Sequence, residues 1–352
     1  MSDQLADSAQ RLFSQHVDKA VLKAAEAGQF PKALWDAVVE AGFTAALLPE
    51  EAGGFGASPA EALRLLQIAA EHTAPIPLAE TMLAGWLLAR AGLPVPEGVL
   101  TLAPVRRGER LELAREGNGW RLRGTASRVP WARDAAALAV LAAGPGGPMV
   151  ACVVADGVVT AHDANVAGEP RDTVVLDQLL PDAAVAPVDL DAAGLHAAGA
   201  AVRTAQIAGA LSRALSLSVG YAQTRVQFGR PIGKFQAIQQ NLAVLAGQSA
   251  AAIAAADMAA DALGKMDAGQ LSPMLVGAAK ARAGEAASIA AGLAHQSHGA
   301  IGFTQEYDLH YATRRLWSWR DEFGNEAEWN IVVGRAALAA GAEGLWPALT
   351  AA

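Results

Sequence analysis

The chain has 352 residues, 53% of them hydrophobic, and a formal charge of −8. That length accommodates two or three domains, and the acidic balance excludes the broad basic surface that nucleic-acid binding needs. A single cysteine, Cys152, excludes an internal disulfide framework, and the opening MSDQLADSAQRL is unlike a secretory signal, so a reducing, cytoplasmic setting is expected.

In chain order, residues 1–97 read as a helical domain. Leu34, Val38 and Val39 form an amphipathic run that ends at Gly42. Pro49-Glu-Glu-Ala-Gly-Gly-Phe-Gly56 reads as a loop. Ser58-Pro-Ala-Glu61 has the spacing of a capping box opening the next helix. Pro94 and Pro96 close the block. Residues 98–192 change to short alternating runs: Leu111–Arg115, Gly119–Arg123, Val150–Val154 and Thr173–Leu176. The uncharged stretch 135–155 approaches the length of a membrane span. Gly144-Pro-Gly-Gly-Pro148 interrupts it, which predicts two buried strands joined by a turn and no span.

Residues 193–352 return to helical periodicity. Ile207, Leu211, Leu215 and Val219 repeat every four residues, and helical patterns continue over 237–264, 273–298 and 326–342. The expected architecture is mainly α with a β insert: a helical domain, a small β-barrel or sandwich, then a four-helix bundle.

One stretch of this last block is chemically distinctive. Between residues 192 and 256 there is no Asp or Glu, yet Arg203, Arg213, Arg225, Arg230 and Lys234 lie within it. A local positive field in an acidic chain points to a bound anion such as a phosphate, which arginine forks bind bidentately. No spaced His/Cys cluster indicates a metal site.

Tyr221-Ala-Gln-Thr-Arg-Val-Gln-Phe-Gly-Arg-Pro-Ile-Gly-Lys-Phe-Gln-Ala-Ile-Gln239 resembles the helix–loop–helix of acyl-CoA dehydrogenases. His295-Gln-Ser-His-Gly-Ala-Ile-Gly-Phe-Thr-Gln-Glu-Tyr-Asp-Leu-His310 resembles a second motif of that family, and the loop Leu48–Gly56 an early one. The resemblance spans nearly the whole chain. It implies FAD, an acyl-CoA substrate, α,β-dehydrogenation by a carboxylate base, and electron-transfer flavoprotein as acceptor. It also implies that Arg225, Gln227, Phe228 and Gln236, together with Gln296, Gly299 and Ala300, reach the FAD of a neighbouring subunit. The neighbour is either a second chain of this kind or a copy of this one, as a dimer of dimers.

The chain departs from that pattern where chemistry is done. By the resemblance, the catalytic glutamate position falls on Phe323, with Glu322 adjacent as the remaining candidate base. The alternative base position of some members falls on Gly199. The Thr-Glu-Pro-x-x-Gly-Ser flavin segment corresponds to the region Leu100–Gly108, and the Trp-x-Ser/Thr strand to Arg128-Val-Pro130, with Trp131 displaced. The asymmetry suggests a chain that completes the FAD site of a base-bearing paralogue, as in α2β2 members. A homo-oligomeric enzyme using Glu322, a non-catalytic scaffold and a flavin-dependent oxidase remain as alternatives. Glu322, Glu326 and Glu328 also read as a solvated helix face, and Trp317, Trp319 and Trp329 as core or interface aromatics.

Overall fold

The computed structural model describes residues 2–266 and 272–350. Helices α1 (Ser2–His16), α2 (Lys19–Glu26), α3 (Lys32–Glu40), α4 (Pro59–Glu71) and α5 (Leu78–Arg90) come first. Eight strands follow: β1 (Leu100–Ala103), β2 (Glu112–Glu116), β3 (Gly119–Pro130), β4 (Ala137–Gly144), β5 (Gly147–Val154), β6 (Val159–Ala161), β7 (Arg171–Pro181) and β8 (Val185–Pro187). Then come α6 (Ala192–Thr224), a two-residue pair of strands β9 (Val226–Gln227) and β10 (Arg230–Pro231), α7 (Gln236–Gly264), α8 (Pro273–His298), α9 (Leu309–Asp321) and α10 (Glu326–Thr350). The chain is helical, then β, then helical, as its composition shifts predict.

These elements form two compact units, one comprising Ala24–Ala62 and Pro75–Gly199, the other Met1–Lys23, Leu63–Ala74 and Ala200–Ala352. The first holds the sheet, ordered β6-β7-β3-β2-β4-β5-β8, with β1 parallel to β4. Its core gathers Leu113, Leu122, Val140, Val153, Val174 and Leu176. The run that resembled a membrane span is the β4–β5 hairpin, with Gly144 opposite Gly147. Six successive residues of β4 are buried, so no alternation shows in the sequence. In the same unit α5 is buried along its first eleven residues, Leu78–Leu88. Ahead of α4 the capping box forms: Ser58 N donates to Glu61 Oε2 at 2.8 Å, and Glu61 N to Ser58 Oγ at 3.2 Å. The backbone hydrogen bond from Ser58 holds the Glu61 carboxyl below its usual range.

The second unit is helical and built on small residues. At Gly209 of α6, a Cβ would fall 2.0 Å from the carbonyl oxygen of Gln67 in α4, so only glycine permits this helix approach. On α8, Ala279, Ala283, Ala286, Ala290 and Ala294 are fully buried, and the helix packs along α7 and α10. Helix α7 is long and apolar enough to cross a membrane by length and composition, with 33% of its apolar window buried. Helix α9 was not predicted from sequence, although Leu309, Ala312, Leu316 and Trp319 follow helical spacing between its arginines. The acids after it do not form a solvated face. Glu326 is paired with Arg320 at 2.7 Å, and Glu322 is paired with Arg203.

Candidate functional site

The Arg225–Gln236 stretch folds as a miniature hairpin between two long helices. Strands β9 and β10 pair Gln227 with Arg230 and Val226 with Pro231. The turn residues Phe228 and Gly229 both have positive φ, +51° and +76°, the geometry of a two-residue turn that matches strand twist. Glycine at the second position is expected there; phenylalanine at the first is strained and places its ring in solvent at 93% exposure. Phe235 meets Phe228 edge-on at 6.1 Å, and the Arg230 guanidinium lies 4.3 Å over the Phe235 ring. Arg225 N donates to Tyr221 O at 2.8 Å and its carbonyl accepts from Ile232 N at 2.8 Å, so its backbone is fixed. Its side chain is exposed and has no ion pair among the described residues. Gln227 Nε2 donates to Val226 O, and Gln236 opens α7, exposed.

The second motif ends α8. Gln296, Gly299 and Ala300 are exposed there, while His295 and His298 turn inward. Gly299 has φ +65° and ψ −146°, close to a region essentially restricted to glycine. The turn after it rests on aromatic supports. His295 stacks between Phe303 at 4.1 Å and Trp317 at 5.7 Å. The Thr313 hydroxyl donates to Leu309 O, so it accepts from His295 Nε2 at 2.9 Å. Burial holds the pKa of both His295 and His298 below the usual imidazole value.

A joint that sequence reading missed ties the two motifs together. Tyr221, one helical turn before Arg225, stacks on His298 at 4.6 Å, and His298 immediately precedes Gly299. Tyr307 packs edge-on against Tyr221 at 5.5 Å and donates from its hydroxyl to Leu217 O at 3.1 Å. The hairpin and the α8 turn therefore form one block. Tyr221, His298 and Tyr307 all lie within the two motifs, but nothing in the sequence signals that they meet.

The turn that carries Glu322 and Phe323 lies elsewhere. Arg203 and Arg225 are separated along α6 by roughly 33 Å at 1.5 Å per residue. At the Arg203 end, Glu322 leaves α9 in extended geometry and Phe323 takes φ +54°, followed by Gly324 at +90°. Phe323 is buried, with the Arg203 guanidinium 5.7 Å from its ring centre. Arg203 Nε donates to Glu322 Oε2 at 2.8 Å; the two side chains are 2% and 13% exposed. The turn's backbone is clamped as well. Trp329 Nε1 donates to Phe323 O at 2.8 Å, and Lys280 Nζ donates to Arg320 O at 2.6 Å and Gly324 O at 2.8 Å. Burial pushes the Lys280 ammonium down to about 8, against the pull of Glu326, Asp321 and Glu322. The Glu326 carboxyl lies below its usual range: burial raises it, but the Arg320 hydrogen bond prevails. Gly199, at the alternative base position, is a buried residue of α6.

In the sheet unit, the region Leu100–Gly108 contains β1 and the loop after it. Thr101 Oγ1 donates to Pro130 O at 2.5 Å and offers nothing outward. Glu109 accepts from Ser127 N at 3.1 Å and Ser127 Oγ at 2.6 Å across a β3 bulge. Arg128, in that bulge, is exposed with φ +57°. Trp131 is buried and meets Phe30 edge-on at 6.2 Å, so its ring is used in packing. Among the described residues no group of three or more His, Cys, Asp or Glu side chains is placed to hold a metal.

Fold, motifs and comparisons agree on the class. The chain belongs to the acyl-CoA dehydrogenase family, FAD-dependent flavoproteins that oxidise CH–CH bonds. The family's N-terminal domain matches residues 2–94 and its C-terminal domain residues 196–344. Among characterised relatives, acyl-CoA dehydrogenase IpdE2 of Mycobacterium tuberculosis is 30% identical over 314 residues, covering 88% of this chain and 89% of that one. FadE27 of the same organism is 34% identical over 233 residues, covering 61% and 62%. In three dimensions the chain resembles the ChsE4-ChsE5 complex of Mycobacterium tuberculosis, with TM-score 0.85, 25% identity and coverage of 96% and 97%. It is equally similar to the steroid acyl-CoA dehydrogenase Tcur3481-Tcur3483, with TM-score 0.84, 27% identity and coverage of 97% and 98%.

Proposed function

We propose that this chain is the subunit of a heteromeric acyl-CoA dehydrogenase that completes the FAD site of a base-bearing paralogue. The observation that carries this reading is the base-position turn: phenylalanine stands where a proton acceptor is needed, and the adjacent Glu322 is held by a buried arginine. A carboxylate whose oxygen is engaged by a guanidinium is poorly placed to take a weakly acidic α-proton. One of the similar structures is described as the ChsE4-ChsE5 complex and another, Tcur3481-Tcur3483, as a steroid acyl-CoA dehydrogenase, which supports a partner chain and a bulky acyl-CoA.

The residues that would hold the cofactor fit an anionic group. Arg225, Arg230 and Lys234 lack carboxylate neighbours in sequence, and Gly299 lets backbone approach a phosphate closely. In this reading Arg225 and Gln227 bind the pyrophosphate or adenosine of the partner's FAD. Phe228 packs near the adenine, Gln236 hydrogen-bonds the cofactor, and Gln296, Gly299 and Ala300 form the close-approach turn. FAD, when bound, supplies the oxidant for the CH–CH bond. Arg225 and its neighbours bind and orient, and the partner's base moves the proton. Electrons pass on to an electron-transfer flavoprotein. The corresponding domain limits are 1–97, 98–192 and 193–352, with cofactor and partner contacts on the last, and the setting is cytoplasmic.

The test is co-purification with a glutamate-bearing paralogue, followed by FAD per chain and acyl-CoA turnover. Arg225→Ala should lower FAD occupancy of the complex, by roughly tenfold to a hundredfold in affinity for one lost charge-assisted contact. Unchanged occupancy would leave a pure scaffold. Stoichiometric FAD and full turnover in the chain purified alone would overturn the proposal.

A further inference from the structure

The sheet-containing unit holds a cavity of about 630 Å³ that none of the residues assigned to the cofactor or to the Phe323 turn lines. Its volume falls in the range of small-molecule sites and exceeds what one anchoring side chain fills. Two helices build it. On α3, Trp35 and Val39 form an apolar stripe at i,i+4, and Asp36 and Glu40 form an acidic stripe beside it. On α5, Thr81 and Gly85 form the facing wall at the same spacing. Leu48 and Val95 close the sides.

The interior is apolar in effect as well as in composition. Thr81 Oγ1 donates to Leu100 O at 3.2 Å and accepts from Leu100 N at 3.1 Å, so its hydroxyl is already used. Gly85 limits the wall: a Cβ there would lie 3.2 Å from Leu48 Cδ2 and 3.4 Å from Val95 Cγ1. The charged groups of the lining are Asp36, Glu40 and Glu97, all exposed at the rim, and Thr44 adds one half-buried hydroxyl. Asp36 is neutralised by Lys32 at 2.6 Å. Glu40 and Glu97 have neither an ion pair nor a side-chain hydrogen bond among the described residues, so the mouth carries uncompensated negative charge over an apolar chamber with an aromatic wall.

We infer that this cavity is a second binding site, for a compact amphipath with an apolar body and a protonated nitrogen at one end. The apolar walls take the body; Glu40 and Glu97 meet the cation at the rim; an anionic head is repelled by the same pair. This assignment does not rest on the cofactor reading, because its test uses neither FAD nor turnover.

The test is calorimetric titration of the full-length chain, as purified, with decylammonium, decanol and decanoate below their micellar concentrations. Decylammonium should bind about tenfold more tightly than decanoate. Glu40→Gln with Glu97→Gln should bring that ratio to within about twofold while leaving decanol unchanged. Gly85→Leu should weaken decylammonium and decanol alike; should that buried substitution fail to fold, Ala52→Leu on the adjoining loop tests the same cavity from the rim. The inference is overturned if no probe binds, if decanoate binds as well as decylammonium, or if a folded cavity-filling variant keeps wild-type affinity for both.

Discussion

Replacing Arg203 by methionine isolates the question of what Glu322 does. The pair's charge centres lie about 4 Å apart; at an effective dielectric of about 20, that separation corresponds to about 4 kcal/mol. Both side chains are largely withdrawn from water, with a guanidinium–carboxylate contact of 2.8 Å. Arg203→Met therefore strands a carboxylate in the interior and should cost about 3–5 kcal/mol, read as a lower urea midpoint at unchanged slope. Replacing both partners, Arg203→Met with Glu322→Leu, removes the stranded charge. Stability should then return to within about 1–2 kcal/mol of wild type. In the two-chain complex Glu322→Gln should leave turnover intact. If Arg203→Met costs under about 1 kcal/mol, or the double variant is additive, the pair is not the structural lock described. If Glu322→Gln lowers turnover by about a hundredfold or more, Glu322 is the base and the two-chain proposal fails.

Further expectations are equally direct. Gly299→Ala should reduce FAD retention in the complex, because alanine at φ +65° is strained by about 1–3 kcal/mol; melting of the chain should move less than cofactor affinity. Lys280 gives a pH signature. Its folded-state value of about 8 lies below the ordinary 10.5, so the unfolded chain binds more protons between those limits. Wild-type stability should therefore gain about 3 kcal/mol relative to Lys280→Met as pH rises from 8 to 10.5, and no relative gain would show that Lys280 is not buried as a depressed amine. Ser58→Ala should cost about 1 kcal/mol in a urea titration through loss of the N-cap.

Much of the architecture was legible because its signals are local. The capping box at Ser58–Glu61 and the turn at Gly144–Gly147 follow from short-range chemistry. The limits of α8 predicted from periodicity are those found. Helix α9 was overlooked although Leu309, Ala312, Leu316 and Trp319 keep helical spacing, whereas the burial of Tyr311 and Arg315 beside them depends on packing that the sequence does not announce. For the site, the exposed cations could be expected from the carboxylate-free stretch, whereas the hairpin that presents them was not predicted. The Arg203–Glu322 lock could not, because its partners are 119 positions apart and neither residue type signals the other. The Tyr221–His298 joint was hidden for the same reason: stacking depends on where two helix ends meet.

The clamps on the Phe323 turn bear on whether a carboxylate placed at position 323 could act as a base. Trp329 and Lys280 hold main-chain oxygens of the turn, Phe323 O and Gly324 O, and neither bond involves the side chain at position 323. A glutamate placed there would project toward the guanidinium that now faces the phenyl ring and would compete with Glu322 for it. In the two-chain reading proposed above, one substitution at position 323 would therefore not give a free proton acceptor; Arg203 and Glu322 would have to be neutralised together with it.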